Sequence, residues 1–160
     1  MAGTWRATIG QASVTGLDLR GWRTNAATAT RWQAGGNRLA LKAGPANPEA
    51  VLWTEVGFRD AEFVLDCRPG KPAEGGEAVL PAVKLRGVAG NLAEIKLTGA
   101  TPGGYQRFSL TVKGREAILR RNDQEVQRLT LPADAPTLGA FGLSSINGAV
   151  DFMNLYARDL

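Results

Sequence analysis

Apolar residues fall on every second position through most of the last third of the chain. In Gln106-Arg107-Phe108-Ser109-Leu110-Thr111-Val112-Lys113, Phe108, Leu110 and Val112 share one side and Arg107, Ser109 and Thr111 the other. Short runs of the same kind follow at 116–126, 139–143 and 150–160, separated by Gly or Asn-Asp turns. Alternation with period two gives a strand one buried and one wetted face, as in an antiparallel sheet stacked on a second layer. The pattern recurs upstream: Phe63 and Leu65 oppose Glu62, Val64 and Asp66; Val83 and Leu85 oppose Lys84 and Arg86; Ile95 and Leu97 oppose Glu94 and Lys96. Trp32-Gln33 and 37–42 read as a hairpin turned at Gly35-Gly36-Asn37, and Pro45 to Pro48 as a loop. The expectation is an all-β fold, an antiparallel two-sheet β-sandwich of about 10–12 strands with a turn or two of helix. Its core should include Leu41, Phe63, Leu65, Val83, Leu85, Phe108, Leu110, Val112, Leu143 and Phe152.

Composition supports one domain over residues 1–160. A chain of 160 residues buries roughly 70% of its unfolded surface, enough for a core without staples. The 20 glycines and 8 prolines suit a protein built from many turns. The formal charge is +4, but the basic residues are scattered among carboxylates. No Lys/Arg run is interleaved with aromatics, so no nucleic-acid partner is expected.

The chain has no histidine, which removes the usual base of Ser-His and Cys-His hydrolases and the commonest transition-metal ligand. Cys67 is the single cysteine, so no intramolecular disulfide and no Cys-ligated cluster can form. A small buried thiol is the expectation for it. Asp18, Asp60 and Asp151 lie near different turns rather than in one clustered loop, so no metal and no cofactor are expected. The N-terminal residues lack the pattern of a secretory signal, and no apolar run is long enough to span a bilayer.

If the polar positions share one sheet surface, Glu62, Lys84, Arg86, Glu94 and Arg107 form a plate of mixed charge able to meet a ligand. The competing expectation is a ladder of cross-strand ion pairs on a solvated face. Glu62 and Asp66 stand about 13 Å apart along one strand. The two carboxyls of a glycosidase need about 5–5.5 Å or 6.5–9.5 Å, so that pair fits poorly, and a cross-strand pair of Glu62 with Glu94 is left open. All four tryptophans, Trp5, Trp22, Trp32 and Trp53, precede residue 54. Burial at the core edge is the expectation for a Trp in a sandwich. Trp53, with Leu52 and Thr54 on the opposite face, is the best candidate for ligand contact.

Several segments carry a family resemblance. They are the opening Leu17-Asp18-Leu19-Arg20-Gly21-Trp22, the Trp32 strand with its Gly turn and short apolar strand, and Leu52-Trp53-Thr54 followed by Phe58, Asp60, Phe63 and Arg68. With the closing strands, these resemble the 3-keto-disaccharide hydrolase-like domains. The resemblance implies a concanavalin-like jelly roll, a carbohydrate partner met on a concave polar sheet, and relatives that are commonly exported. The chain departs from the family's pattern over 75–86 and 94–104, where the family carries site residues on longer excursions. The leading expectation is therefore a carbohydrate-binding or interaction module without catalysis of its own. The alternative is a hydrolase of 3-keto-glycosides, with Glu62 or Glu94 as base and Lys84 or Arg86 stabilising developing negative charge. A third reading has the sheet face docking a protein partner.

Overall fold

The computed structural model describes residues 5–7, 22–35, 38–70, 79–90, 92–99 and 104–160. Leu17 to Gly21, Asp18 among them, and the turn residues Gly36-Asn37 lie outside them, as do residues 75–78 and 100–103. Thirteen strands run through the described residues: β1 Trp5–Ala7, β2 Trp22–Arg23, β3 Trp32–Gly35, β4 Arg38–Leu41, β5 Leu52–Thr54, β6 Ala61–Pro69, β7 Ala82–Lys84, β8 Glu94–Lys96, β9 Gln106–Lys113, β10 Glu116–Arg121, β11 Gln124–Thr130, β12 Gly142–Leu143 and β13 Val150–Asp159. The large sheet has the order β11-β10-β9-β6-β13-β4-β3, with β1 also pairing β13, and the small sheet has the order β2-β5-β12-β7-β8. Every pairing is antiparallel.

The core lies between the two sheets, and alternation decides what enters it. Phe63 and Leu65 of β6, Phe108, Leu110 and Val112 of β9 and Phe152 of β13 point in from the large sheet. Leu52, Val83, Ile95 and Leu143 point in from the small one. Every expected core residue is at most 1% exposed, so the period-two reading places each side chain on its correct face. Phe141, just before β12, joins the layers by stacking on Phe63 at 4.8 Å and tilting against Phe58 at 5.4 Å. Full burial of such a side chain contributes about 1.5–3 kcal/mol.

Among the described residues, helix is confined to α1, Ala26–Arg31, and one 3₁₀ turn, Pro48–Ala50. A reciprocal capping box starts α1: the Thr28 amide donates to Asn25 Oδ1 at 2.8 Å, and the Asn25 amide donates to Thr28 Oγ1 at 2.7 Å. The buried Arg31 closes it, its guanidinium donating to the carbonyls of Lys42, Pro45, Ile146 and Gly148 and tying two loops to the helix.

β13 carries the feature that shapes one face of the molecule. Its register against β6 slips between Met153 and Tyr156, where Asn154 adopts φ 53°. Val150 and Phe152 point inward before the slip, and Leu155 and Ala157 after it. One extra residue thus keeps the apolar side chains buried and re-aims Asn154 and Tyr156 outward. Asparagine suits the position because its short side chain tolerates left-handed backbone.

Candidate functional site

The sequence-predicted site residues do not form one plate. Glu62 and Arg107 stand on the outer face of the large sheet, where β6 pairs β9 and β13. Lys84, Glu94 and Trp53 stand on the outer face of the small sheet, in the strands β7, β8 and β5. The two faces look away from each other across the core. Alternation dictates which side chains avoid the core, but it does not say to which layer a strand belongs. Glu62 and Glu94 therefore cannot act as an acid pair on one substrate bond.

Arg86 belongs to neither face. β7 ends at Lys84, and Arg86 sits in a turn with φ 56°, 6% exposed. Its Nη1 donates to the Pro136 carbonyl at 3.1 Å and its Nη2 to the Gly114 carbonyl at 3.0 Å, with Asp60 Oδ1 3.6 Å away. Burial pulls the guanidinium pKa below its ordinary value, Asp60 opposes that pull and Arg59 adds to it. A Cβ on Gly139 would lie 2.1 Å from the Arg86 carbonyl oxygen, so this turn is packed backbone to backbone. Arg86 thus ties three loops together, which corrects its expected place on a ligand-facing plate.

On the large sheet, register sets the site in rows. Arg158, Glu62 and Thr111 face one another across three strands, with Tyr156, Val64 and Ser109 in the next row and Asp66 beside Arg107 in the row after. Arg158 Nη2 donates to Glu62 Oε2 at 2.8 Å. Arg107 grips Asp66 bidentately, Nε to Oδ1 at 2.8 Å and Nη2 to Oδ2 at 2.9 Å, and Asn154 Nδ2 donates to the same Oδ2 at 2.8 Å. Further along, Arg68 pairs with Asp151 at 2.8 Å and lies over the Tyr105 ring at 4.7 Å. The ion-pair ladder anticipated from the sequence is therefore present on this sheet.

The ladder also leaves room. A cavity of about 510 Å³ is lined by Glu62, Val64, Arg107, Ser109, Asp123 and Tyr156. Asp123 reaches it from the β10–β11 turn, where Asn122 and Asp123 have φ 49° and 68°, the type I′ geometry that Asn and Asp accept at a two-residue hairpin. Asp66 is 12% exposed at its side chain, while the Arg107 it holds is 57% exposed. A buried carboxylate thus fixes the pose of an exposed guanidinium. The hydrogen bond that Arg107 donates to Asp66 first, then the Asp66 charge, and further on the charges of Asp123 and Tyr156, push the Arg107 pKa above its ordinary value. With Nε and Nη2 committed to Asp66, Nη1 is left to bond a ligand, as is Oε1 of Glu62.

Sequence reasoning missed Asp123, Tyr156, Asn154 and the positioning role of Asp66. A signal for two of them existed. Apolar residues at 150 and 152 followed by 155 and 157 mark a one-residue phase slip, which places Asn154 and Tyr156 on the wet face. Cys67 is fully buried, and burial first, then the Asp66 charge, push its thiol far above the ordinary value, consistent with a packing role.

Comparison with known proteins adds the fold. No family model and no curated protein sequence matches the chain. Among solved structures, a provisionally named glycosyl hydrolase from Parabacteroides distasonis ATCC 8503 superposes with TM-score 0.72 at 14% identity, over 98% of this chain and 100% of that one. The carbohydrate binding module CBM66 from Bacillus subtilis superposes with TM-score 0.65 at 14% identity, over 87% of this chain and 96% of that one. A family 7 alginate lyase, A1-II′, solved with its substrate, gives TM-score 0.52 at 9% identity, over 86% of this chain and 83% of that one. The fold is a concanavalin-like jelly roll. At such identities the likeness speaks for architecture alone.

Proposed function

We propose that this chain binds carbohydrate on the outer face of its large sheet, as a non-catalytic jelly-roll module akin to the 3-keto-disaccharide hydrolase-like domains. The observation that carries the reading is Arg107 held rigid by the buried Asp66 at the wall of a cavity shared with Glu62, Ser109, Asp123 and Tyr156. Vicinal sugar hydroxyls each donate and accept, and this wall offers a fixed cationic donor, anionic acceptors, a hydroxyl and an aromatic ring. Because Asp66 pre-orders the guanidinium, little side-chain entropy is left to lose on binding. The names of the neighbours, a glycosyl hydrolase and a carbohydrate binding module, agree with this chemistry. A glycan array probed with wild type and Arg107→Ala tests it: wild type should light a subset of sugars that the variant loses.

A second reading, hydrolysis of a glycosidic bond, draws on Glu62 and Asp123 lining one cavity. Here Glu62 or Asp123 would act as the acid or base. Turnover of a 3-keto-glucoside by wild type that Glu62→Gln abolishes would replace the binding-only account.

A further inference from the structure

We infer that the opposite face of the molecule holds a second glycan groove, centred on Trp53, so that one module can engage two sugar chains at once. Direct register partners across the small sheet form a row, Trp53, Gly142, Lys84 and Glu94, pointing away from the buried row Leu52, Leu143, Val83 and Ile95. Four adjacent strands make this row about 14 Å long.

Each member contributes a different feature. A Cβ at Gly142 would meet Trp53 Cε3 at 2.7 Å and Cζ3 at 2.9 Å. The glycine thus lets the six-membered ring of the indole settle over the neighbouring strand, where any side chain would lift it. Trp53 is partly exposed in this pose and borders two depressions, of about 460 Å³ and about 420 Å³, that also share Pro48 and Val51. The two depressions meet at these residues and are open to solvent, so they are read as one trough running past the indole. At the far end Lys84 Nζ donates to Glu94 Oε2 at 2.9 Å and to the Gly90 carbonyl. The side chains of this pair are only 10% and 16% exposed, so they are held in place. Lys96 on the same strand as Glu94 lines the trough as well.

An aromatic platform in an open trough, with a fixed donor and acceptor at one end, matches a sugar chain. The apolar face of a ring covers the indole while the hydroxyls of the next residue reach Lys84 and Glu94. A protein partner would call for a broad apolar patch, and the Lys84–Glu94 pair and Lys96 interrupt one here. Trp53 and Arg107 stand on opposite outer faces, so the second groove neither uses nor depends on the large-sheet cavity.

Titration calorimetry of the full chain against cellohexaose, xylohexaose, laminarihexaose and hexagalacturonate tests the inference. Arg107→Ala, which leaves the small sheet untouched, should retain binding to at least one hexasaccharide. For that sugar Trp53→Ala added to Arg107→Ala should weaken affinity by at least tenfold and Trp53→Phe added to it by less, with thermal melts recorded for each variant. Where both faces take the same sugar, wild type should bind two equivalents and each single variant one. Should Arg107→Ala bind none of the four, or Trp53→Ala bind as wild type does, the second groove is overturned. Loss of binding in Arg107→Ala alone would leave the large-sheet reading standing, and loss in Trp53→Ala alone would leave only the groove.

Discussion

Replacing Arg86 with alanine should destabilise the fold rather than disturb ligand binding. The side chain is 5% exposed and makes two charge-assisted hydrogen bonds, to Pro136 and Gly114. Such bonds contribute about 1.5–3 kcal/mol each. Both carbonyls belong to exposed loop residues that water can reach after truncation, which lowers the total to about 2–4 kcal/mol. At roughly 2–4 °C per kcal/mol for a domain of this size, the melting temperature should fall by about 5–15 °C. A second variant separates backbone from side chain. Because Arg86 has φ 56°, Arg86→Gly relieves a left-handed strain of about 1–2 kcal/mol that Arg86→Ala retains, so glycine should melt higher than alanine. Arg128, half exposed between Glu116 and Glu125, is the control, and Arg128→Ala should melt close to wild type. Differential scanning calorimetry of the four proteins decides the matter. An Arg86→Ala midpoint within about 2 °C of wild type would refute the claim that this guanidinium ties the loops together.

Phe108, fully buried at the centre of β9, should cost about 3–5 kcal/mol when cut to alanine, read as a lower urea midpoint at unchanged slope. Cys67 sets a pH dependence. Its folded pKa lies above the unfolded value of about 8.5, so above that pH the unfolded chain sheds a proton that the native chain keeps. Stability should then fall with rising pH from about 9 upward, at up to about 1.4 kcal/mol per unit from this group. Urea titrations between pH 8 and 10.5 should show a steeper decline in wild type than in Cys67→Ala, and parallel curves would contradict the buried thiol.

The two layers, most of their strands and the core residues were legible because period-two alternation is local: each strand announces its own faces. Even so, thirteen strands form among the described residues where about 10–12 were expected, and Trp5–Ala7 was not read as one. Which strands share a sheet is a long-range property, fixed by packing and connection geometry. For that reason Glu62 and Glu94, alike on paper, end on opposite sides. Arg86 reads as one more polar position in Val83-Lys84-Leu85-Arg86, yet the chain leaves β7 after Lys84 and turns it inward. Arg31 was silent in sequence because its four partners are backbone carbonyls from loops far along the chain. The site's best-ordered element, Arg107 on Asp66, joins residues 41 apart, a pairing that only the register of β6 with β9 produces.

The proposed binding of sugar in the large-sheet cavity rests on a guanidinium posed by Asp66. Calorimetric titration of wild type, Arg107→Lys and Glu62→Gln against the strongest array hit tests it most directly. Lysine keeps the charge but cannot hold Asp66 with two bonds while offering a third nitrogen to a ligand. Both variants should lose at least tenfold in affinity, about 1.4 kcal/mol, while both remain folded by circular dichroism. Wild-type affinity in both would contradict it.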